Sequence, residues 1–262
     1  MACRNYAIFH SDRGYFYAPC GQCMECRLKD LRDWYVRSRF EAKCKERPFH
    51  YFLTLTYDDE NLPVDGFASR DDIKAFFKSL RHRFEGASIR YFATSDYGGK
   101  LGRAHFHAIV FSSVRIFANS IFNVWQKGFT KLKVLTPVSM RYCCKYTIKK
   151  RDLVGSEGYV NPRAFFRLVS KHYGENGINY FNGTDNFVEF DGKKFGWPQY
   201  LIDKIVQNGL DPHLVFDKEA TKFYKTYREA SYACLSFVKQ NNLRQLSGDD
   251  LYNEWNGGLR RA

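Results

Sequence analysis

The chain has 262 residues, of which 44% are hydrophobic and 18% aromatic, a composition that excludes a disordered chain and allows one large or two modest domains. Its 41 Lys and Arg against 28 Asp and Glu leave a formal net charge of +13, which favours a polyanionic partner, nucleic acid first. No apolar run approaches the roughly 18 residues that cross a bilayer, and the opening MACRNYAIFHSDRGYF lacks the apolar stretch of a secretory signal. The expected location is the cytoplasm, with no membrane partner and with the eight cysteines reduced.

Residues 1–23 read as irregular and carry Cys3, then Cys20, Cys23 and Cys26 in PCGQCMEC. In a reducing compartment, clustered cysteines raise a metal question before a disulfide one. C-x2-C-x2-C with Cys3 as a fourth ligand suits one structural Zn²⁺ that anchors an otherwise coreless N-terminus; an iron–sulfur cluster or free thiols are the alternatives. From Met24 to about Arg47 the pattern is helical, with Met24, Leu28, Leu31, Tyr35 and Phe40 near one face and basic residues over much of the rest.

FHYFLTLTYDD (49–59) switches to period two and predicts a strand, with Phe52, Thr54 and Thr56 on one face and Leu53, Leu55 and Tyr57 on the other. A helix starts at Ser69 with the stripe Ile73, Phe76, Phe77, Leu80 and Phe84. Two strands follow, IRYFATSD and RAHFHAIVF, joined by a glycine-bearing turn near Lys100. Next come a short helix over 116–126, a strand GFTKLKVL, and a helix opened by Thr136 as cap and Pro137 in its first turn. The order β-α-β-β-α-β-α indicates an α+β core over 49–155, a central antiparallel-leaning sheet with packed helices. A Cys-rich segment with its basic helix precedes it (1–48), and a C-terminal α/β extension follows (156–262), ending in hairpins and the helical KEATKFYKTYREASYACLSFVKQ.

Alternation puts His105 and His107 on one strand face with Ile109 and Phe111, and Phe106, Ala108 and Val110 on the other. A strand apolar on both faces must satisfy four ring nitrogens there. One divalent metal ligated by both imidazoles does so, as do two separately hydrogen-bonded histidines. Asp96 falls roughly opposite His105 across the turn, as a third ligand for Mg²⁺ or Mn²⁺ or as a turn cap. In RYCCKYTIKK, Tyr142 and Tyr146 stand one helical turn apart, flanked by Lys145, Lys149 and Lys150. A phenol is a poor nucleophile at neutral pH, but neighbouring lysines and a polarised phosphate favour its attack. Tyrosines on a half-buried face are the structural alternative.

FLTLTYDD, GRAHFHAIVF and YCCKYTIKK, in that order and spacing, resemble the His-hydrophobic-His (HUH) rolling-circle replication initiators, and in particular those of small single-stranded DNA phages, the microviruses of the gokushovirus type. PCGQCMECRLKDLRDWYVR resembles that group's cysteine-rich opening, SDYGGKLGRAHFHAIVF its acid-Tyr-Gly turn and histidine strand, and GWPQYLIDKI a downstream Pro-Tyr element. The resemblance implies an HUH endonuclease (ferredoxin-like variant) fold and a Mg²⁺- or Mn²⁺-dependent nicking and joining enzyme for single-stranded origin DNA. His105, His107 and Asp96 would hold the metal. Tyr142 and Tyr146 would be the nucleophile pair that forms a 5′-phosphotyrosyl link, and Lys149 would assist at the phosphate. Lys145, Lys150 and Arg103 would contact DNA, and a host helicase and polymerase would be partners. The chain departs from the pattern at Ala104, where a proline is usual, at Asp96, where a glutamate is more usual, and at Cys143 and Cys144, which replace apolar residues as small buried hydrophobes. A plasmid initiator, relaxase or transposase of the same superfamily, and a non-catalytic zinc-stabilised single-strand-binding protein, are the rival readings.

Overall fold

The computed structural model describes residues 3, 6–11, 14–21, 23–98, 102–146, 165–183, 185 and 187–208. Strands β1 (Tyr6–Ser11) and β2 (Gly14–Pro19) pair as an antiparallel hairpin, Tyr6 opposite Pro19. The expectation of an irregular 1–23 is thereby corrected: YAIFH and YFYAP are rich in aromatic and β-branched residues, and Gly14 closes a two-residue connection. Helix α1 (Met24–Glu41) stops six residues short of the expected end. Its chain instead tightens into turns, Lys43 N–H to the Phe40 carbonyl and Cys44 N–H to that of Glu41. Pro48 disfavours a helical Arg47, and the Arg47 guanidinium folds back onto the buried Glu41 carboxylate at 2.8 Å.

The central unit follows the expected order. Strand β3 is Phe49–Tyr57, α2 Arg70–Arg83, β4 Ile89–Tyr97, β5 Ala104–Ser112, α3 Ala118–Trp125, β6 Gly128–Val134 and α4 Pro137–Lys145. Local chemistry sets the helix starts. Ser69 accepts from the Asp72 N–H at the head of α2, and Thr136 forms a reciprocal capping box with Ser139 ahead of Pro137. Beyond residue 164, β7 (Arg167–Val169) joins the same sheet, a 3-10 turn covers Glu175–Tyr180, β8 (Phe187–Phe190) and β9 (Lys193–Gly196) form a hairpin, and α5 covers Gln199–Gln207. The expected boundary at residue 155 and the terminal KEATKFYKTYREASYACLSFVKQ lie outside the described residues.

All pairs in the main sheet are antiparallel, in the order β6-β3-β5-β4-β7. One face carries Leu53, Leu55, Tyr57, Tyr91, Phe106 and Val110, and α2 and α3 cover it with Ile73, Phe77, Leu80, Ile121 and Trp125. The other face carries Phe92, Ile109 and Phe111 under Tyr35 of α1, Met140, Cys143 and Cys144 of α4, and Tyr173. Both alternation patterns read from β3 and β5 therefore hold. The edge strand β6 begins at Gly128, whose φ of +131 and a Cβ position 2.3 Å from the Asp58 nitrogen leave no room for a side chain.

Helix α1 is tied to the return segment by buried polar contacts. Glu41, fully buried, accepts from Arg47 and from the Gly174 N–H at 2.6 Å, and Tyr173 donates to Ser38 at 2.9 Å. The Arg37 guanidinium lies between the rings of Trp34 and Tyr200, 4.2 and 3.9 Å from their centroids. This makes α1 a fixed back wall for α4. No helix among the described residues is long and apolar enough to cross a membrane.

Candidate functional site

The register of the sheet lays out the site in rows. Asp96, His105, Thr56 and Phe129 are successive cross-strand neighbours from β4 to β6, and Thr94, His107, Thr54 and Lys131 form the next row. Because side chains alternate, every member of these rows points to the α4 side of the sheet. The expected pairing of Asp96 with His105 is thus observed; the turn residues 99–101 lie outside the described residues.

Three ligand atoms converge. The Nε2 atoms of His105 and His107 are 3.2 Å apart, and Asp96 Oδ2 is 3.3 Å from the first and 3.9 Å from the second. An ion bound at about 2.1 Å holds adjacent ligands roughly 3.0–3.4 Å apart, so the triangle is one small divalent cation wide. The far side of each ring is already engaged: His105 Nδ1 meets the Arg103 carbonyl at 3.0 Å and His107 Nδ1 the Thr54 hydroxyl at 3.1 Å. Such outer partners fix ring orientation and turn the Nε2 lone pairs inward, as metal-binding histidines require. The site is mostly buried but not sealed, and two neutral imidazoles with one carboxylate form a hard-leaning donor set that fits Mg²⁺ or Mn²⁺ with room for further oxygen ligands.

Helix α4 brings both tyrosines to this triangle. The Tyr146 ring stacks on His107 with centroids 5.3 Å apart, and Tyr142 meets the same imidazole edge-on at 5.3 Å. Phe52 stacks on the opposite side of His107 at 5.5 Å. The Tyr146 hydroxyl donates to that of Tyr142. Burial, the Tyr142 contact and a hydrogen bond with Asp96 push the Tyr146 phenol well above its ordinary range. The helix is seated by Cys143 and Cys144, both fully buried; burial pushes the Cys144 thiol up to about 12, so it packs as a small hydrophobe, as expected from the sequence.

The remaining expected residues are dispersed. Lys145 is exposed on α4 and lines a cavity of 580 Å³ with Tyr35, Arg141, Tyr142, Lys193 and Phe195, between α1, α4 and the β8–β9 hairpin. Arg103 is committed to the β3–α2 loop, donating to the Tyr57 carbonyl at 3.1 Å and pairing with Asp59. Lys149 and Lys150 lie outside the described residues. Cys3, Cys20, Cys23 and Cys26 come together in a cluster of their own.

Sequence reading missed Thr54 and Phe52, which frame His107, and the exposed Phe129, Lys131 and Lys133 on the site-facing side of β6. The signal for the last three was present: FTKLKV alternates exposed aromatic and basic residues with the half-buried Thr130 and Leu132 at period two.

Comparison with known proteins places these features. Residues 50–151, which run from β3 through the tyrosine helix, match the model of the replication-associated protein ORF2 family. The chain is 33% identical over 169 residues to replication-associated protein ORF2 of Spiroplasma virus 4, covering 56% of this chain and 51% of the relative. It is 25% identical over 254 residues to replication-associated protein ORF4 of Chlamydia phage 1, covering 86% and 62% respectively. It is 29% identical over 157 residues to replication-associated protein VP4 of Bdellovibrio phage phiMH2K, covering 52% and 49%. The chain spans about half to three-fifths of the length of these relatives. No solved structure matches it significantly.

Proposed function

The chain belongs, through residues 50–151, to the replication-associated protein ORF2 family, and from that premise we propose that it initiates rolling-circle replication by nicking and rejoining single-stranded origin DNA through a tyrosine. The observation that carries the proposal is the position of His107, which belongs to the Asp96–His105–His107 triangle and also packs against both tyrosine rings. Nucleophile and metal ligands are thus held on one sheet face, within reach of one phosphate.

The chemistry follows from these groups. The phenol oxygen of one tyrosine attacks the scissile phosphorus, the bond to the 3′ oxygen breaks, and that oxygen takes a proton to leave a free 3′-hydroxyl and a 5′-phosphotyrosyl link. A Mg²⁺ or Mn²⁺ ion held by Asp96, His105 and His107 polarises the phosphate and offsets charge on the leaving oxygen. Tyr142, 46% exposed, is the tyrosine that an incoming strand meets first; Tyr146, 5% exposed, holds the Tyr142 oxygen by its hydrogen bond and serves as the second nucleophile. Attack by a 3′-hydroxyl on the phosphotyrosyl bond reverses the first step and rejoins the strand.

Phe129, Lys131 and Lys133 supply an exposed aromatic and two cations beside the triangle, the combination that holds unpaired bases and phosphates. Lys145 and Arg141 continue the positive charge onto the tyrosine helix. The 3′-hydroxyl is a primer terminus, so its extension calls for a host polymerase and helicase, in the cytoplasm of the host. The test is incubation of labelled single-stranded origin DNA with the protein and Mn²⁺, read as a covalent adduct that survives SDS together with a free 3′-hydroxyl.

A further inference from the structure

The N-terminal cysteines form a second centre whose donors and geometry differ from those of the histidine triangle. The β1–β2 hairpin carries the chain from Cys3 out and back to Cys20, because Tyr6 pairs with Pro19. Gly21, at φ +72, then turns the chain so that Cys23 and Cys26 follow at the head of α1. The result brings four sulfurs from two distant stretches of sequence to within 4.8 Å of one another.

Their spacing identifies the guest. Cys3 Sγ lies 3.6 Å from Cys20 Sγ and 3.8 Å from Cys23 Sγ, and Cys20 Sγ lies 4.0 Å from Cys26 Sγ. A disulfide holds its sulfurs about 2.05 Å apart, so these pairs are not bonded to one another. A four-iron cluster would place each sulfur on a different iron, which demands a wider cradle. A single tetrahedral ion with bonds of about 2.3 Å sets its four sulfurs about 3.8 Å apart, the middle of the observed range.

A second, independent feature agrees. Backbone N–H groups point at two of the sulfurs, Cys20 N–H at Cys3 Sγ (3.4 Å) and Cys23 N–H at Cys20 Sγ (3.3 Å). Donors aimed at sulfur stabilise thiolates, the form in which cysteine binds a metal. Four thiolates with no open position make a closed, soft site, which selects Zn²⁺ over the hard cations that suit Asp96, His105 and His107.

We infer that Cys3, Cys20, Cys23 and Cys26 bind one structural Zn²⁺ that clamps the β1–β2 hairpin to the first turn of α1. A two-stranded hairpin is marginal by itself, and the ion supplies the link that holds its two ends to the body. The clamp lies at the head of the helix that backs the tyrosines: further along α1, Ser38 Oγ meets Cys144 Sγ at 3.9 Å, and the Arg141 guanidinium lies over the Tyr35 ring at 5.2 Å. The zinc therefore anchors the entry to the wall behind α4 and stands outside the chemistry.

Elemental analysis of full-length protein purified without chelator tests this, in parallel with a His105→Ala, His107→Ala variant and a Cys23→Ser, Cys26→Ser variant. The expected result is one zinc per chain in the wild type and in the histidine variant, and loss of zinc in the cysteine variant. Titration of folded wild-type protein with a mercurial should release that zinc as four thiols react, and Co²⁺ substitution should give the charge-transfer and d–d absorption of tetrahedral thiolate cobalt. These two readouts stand even where the cysteine variant fails to fold. Substoichiometric zinc, stoichiometric iron, or zinc that disappears with the histidines and persists without the cysteines would overturn the assignment. None of these outcomes depends on whether the protein nicks DNA.

Discussion

Tyr146 donates its phenolic hydrogen to the hydroxyl of Tyr142, one helical turn earlier, across a boundary between buried and exposed surface. The two oxygens are adjacent but differ in access. In a single-turnover reaction with wild-type protein, peptide mapping of the adduct should find the DNA mainly on Tyr142. Tyr142→Phe should slow the first cleavage at least tenfold while leaving thermal stability unchanged. Tyr146→Phe should still cleave once, lose the second cleavage that releases a unit-length strand, and cost about 1 kcal/mol of stability from its lost hydrogen bond.

Thr54 orients His107 without touching the metal or the DNA. Its hydroxyl lies 3.1 Å from Nδ1, and valine preserves the shape while removing that contact. Outer partners of this kind are commonly worth 10–100-fold in metal affinity, so Thr54→Val should weaken Mn²⁺ binding about tenfold at the lower end of that range. Titration followed by the paramagnetic signal of free Mn²⁺ measures it. An unchanged affinity would mean that the Thr54 contact plays no part in metal binding.

Lys131 and Lys133 occupy the exposed side of the edge strand beside the triangle. If each neutralises one phosphate, the Lys131→Ala, Lys133→Ala variant should bind single-stranded DNA more weakly and lower the slope of log K against log salt by about 1.4. Fluorescence anisotropy across a salt series gives that slope directly. Metal affinity should stay at the wild-type value, since neither lysine approaches His105 or His107.

Glu41 is fully buried and accepts from Arg47 and Gly174, joining the end of α1 to the return segment. Glu41→Gln removes the charge from a buried ion pair, and an unpaired buried Arg47 is costly. The expected loss is about 3 kcal/mol of unfolding free energy, seen as a lower urea midpoint. Because this network lies behind α1, DNA cleavage by the folded fraction should persist.

The elements that were legible in the sequence are those with a local period. The alternation in FLTLTY and AHFHAIVF, the stripe from Ile73 to Leu80, and the Thr136-Pro137 start each write their structure within a dozen residues. The same alternation made the Asp96–His105 pairing legible, because a hairpin carries its register along both strands. What escaped depends on distance in sequence. β7 is three residues long and is defined by pairing with β4 more than seventy positions earlier. Glu41 looked like one more solvated helix residue, and only the fold shows that Arg47 and Gly174 enclose it. The N-terminal hairpin was hidden by the cysteines around it, which drew the reading toward a loop.

The central claim is that the tyrosine pair on α4 attacks DNA with help from the histidine triangle. The most direct measurement is the covalent adduct formed on labelled single-stranded origin DNA with Mn²⁺, compared between the wild type and the Tyr142→Phe, Tyr146→Phe double variant. The account predicts an SDS-resistant adduct and a free 3′-hydroxyl for the wild type, and neither for the double variant, with its fold and its Mn²⁺ affinity intact. An adduct of undiminished yield from the double variant, or DNA binding without any adduct from the wild type, would contradict it.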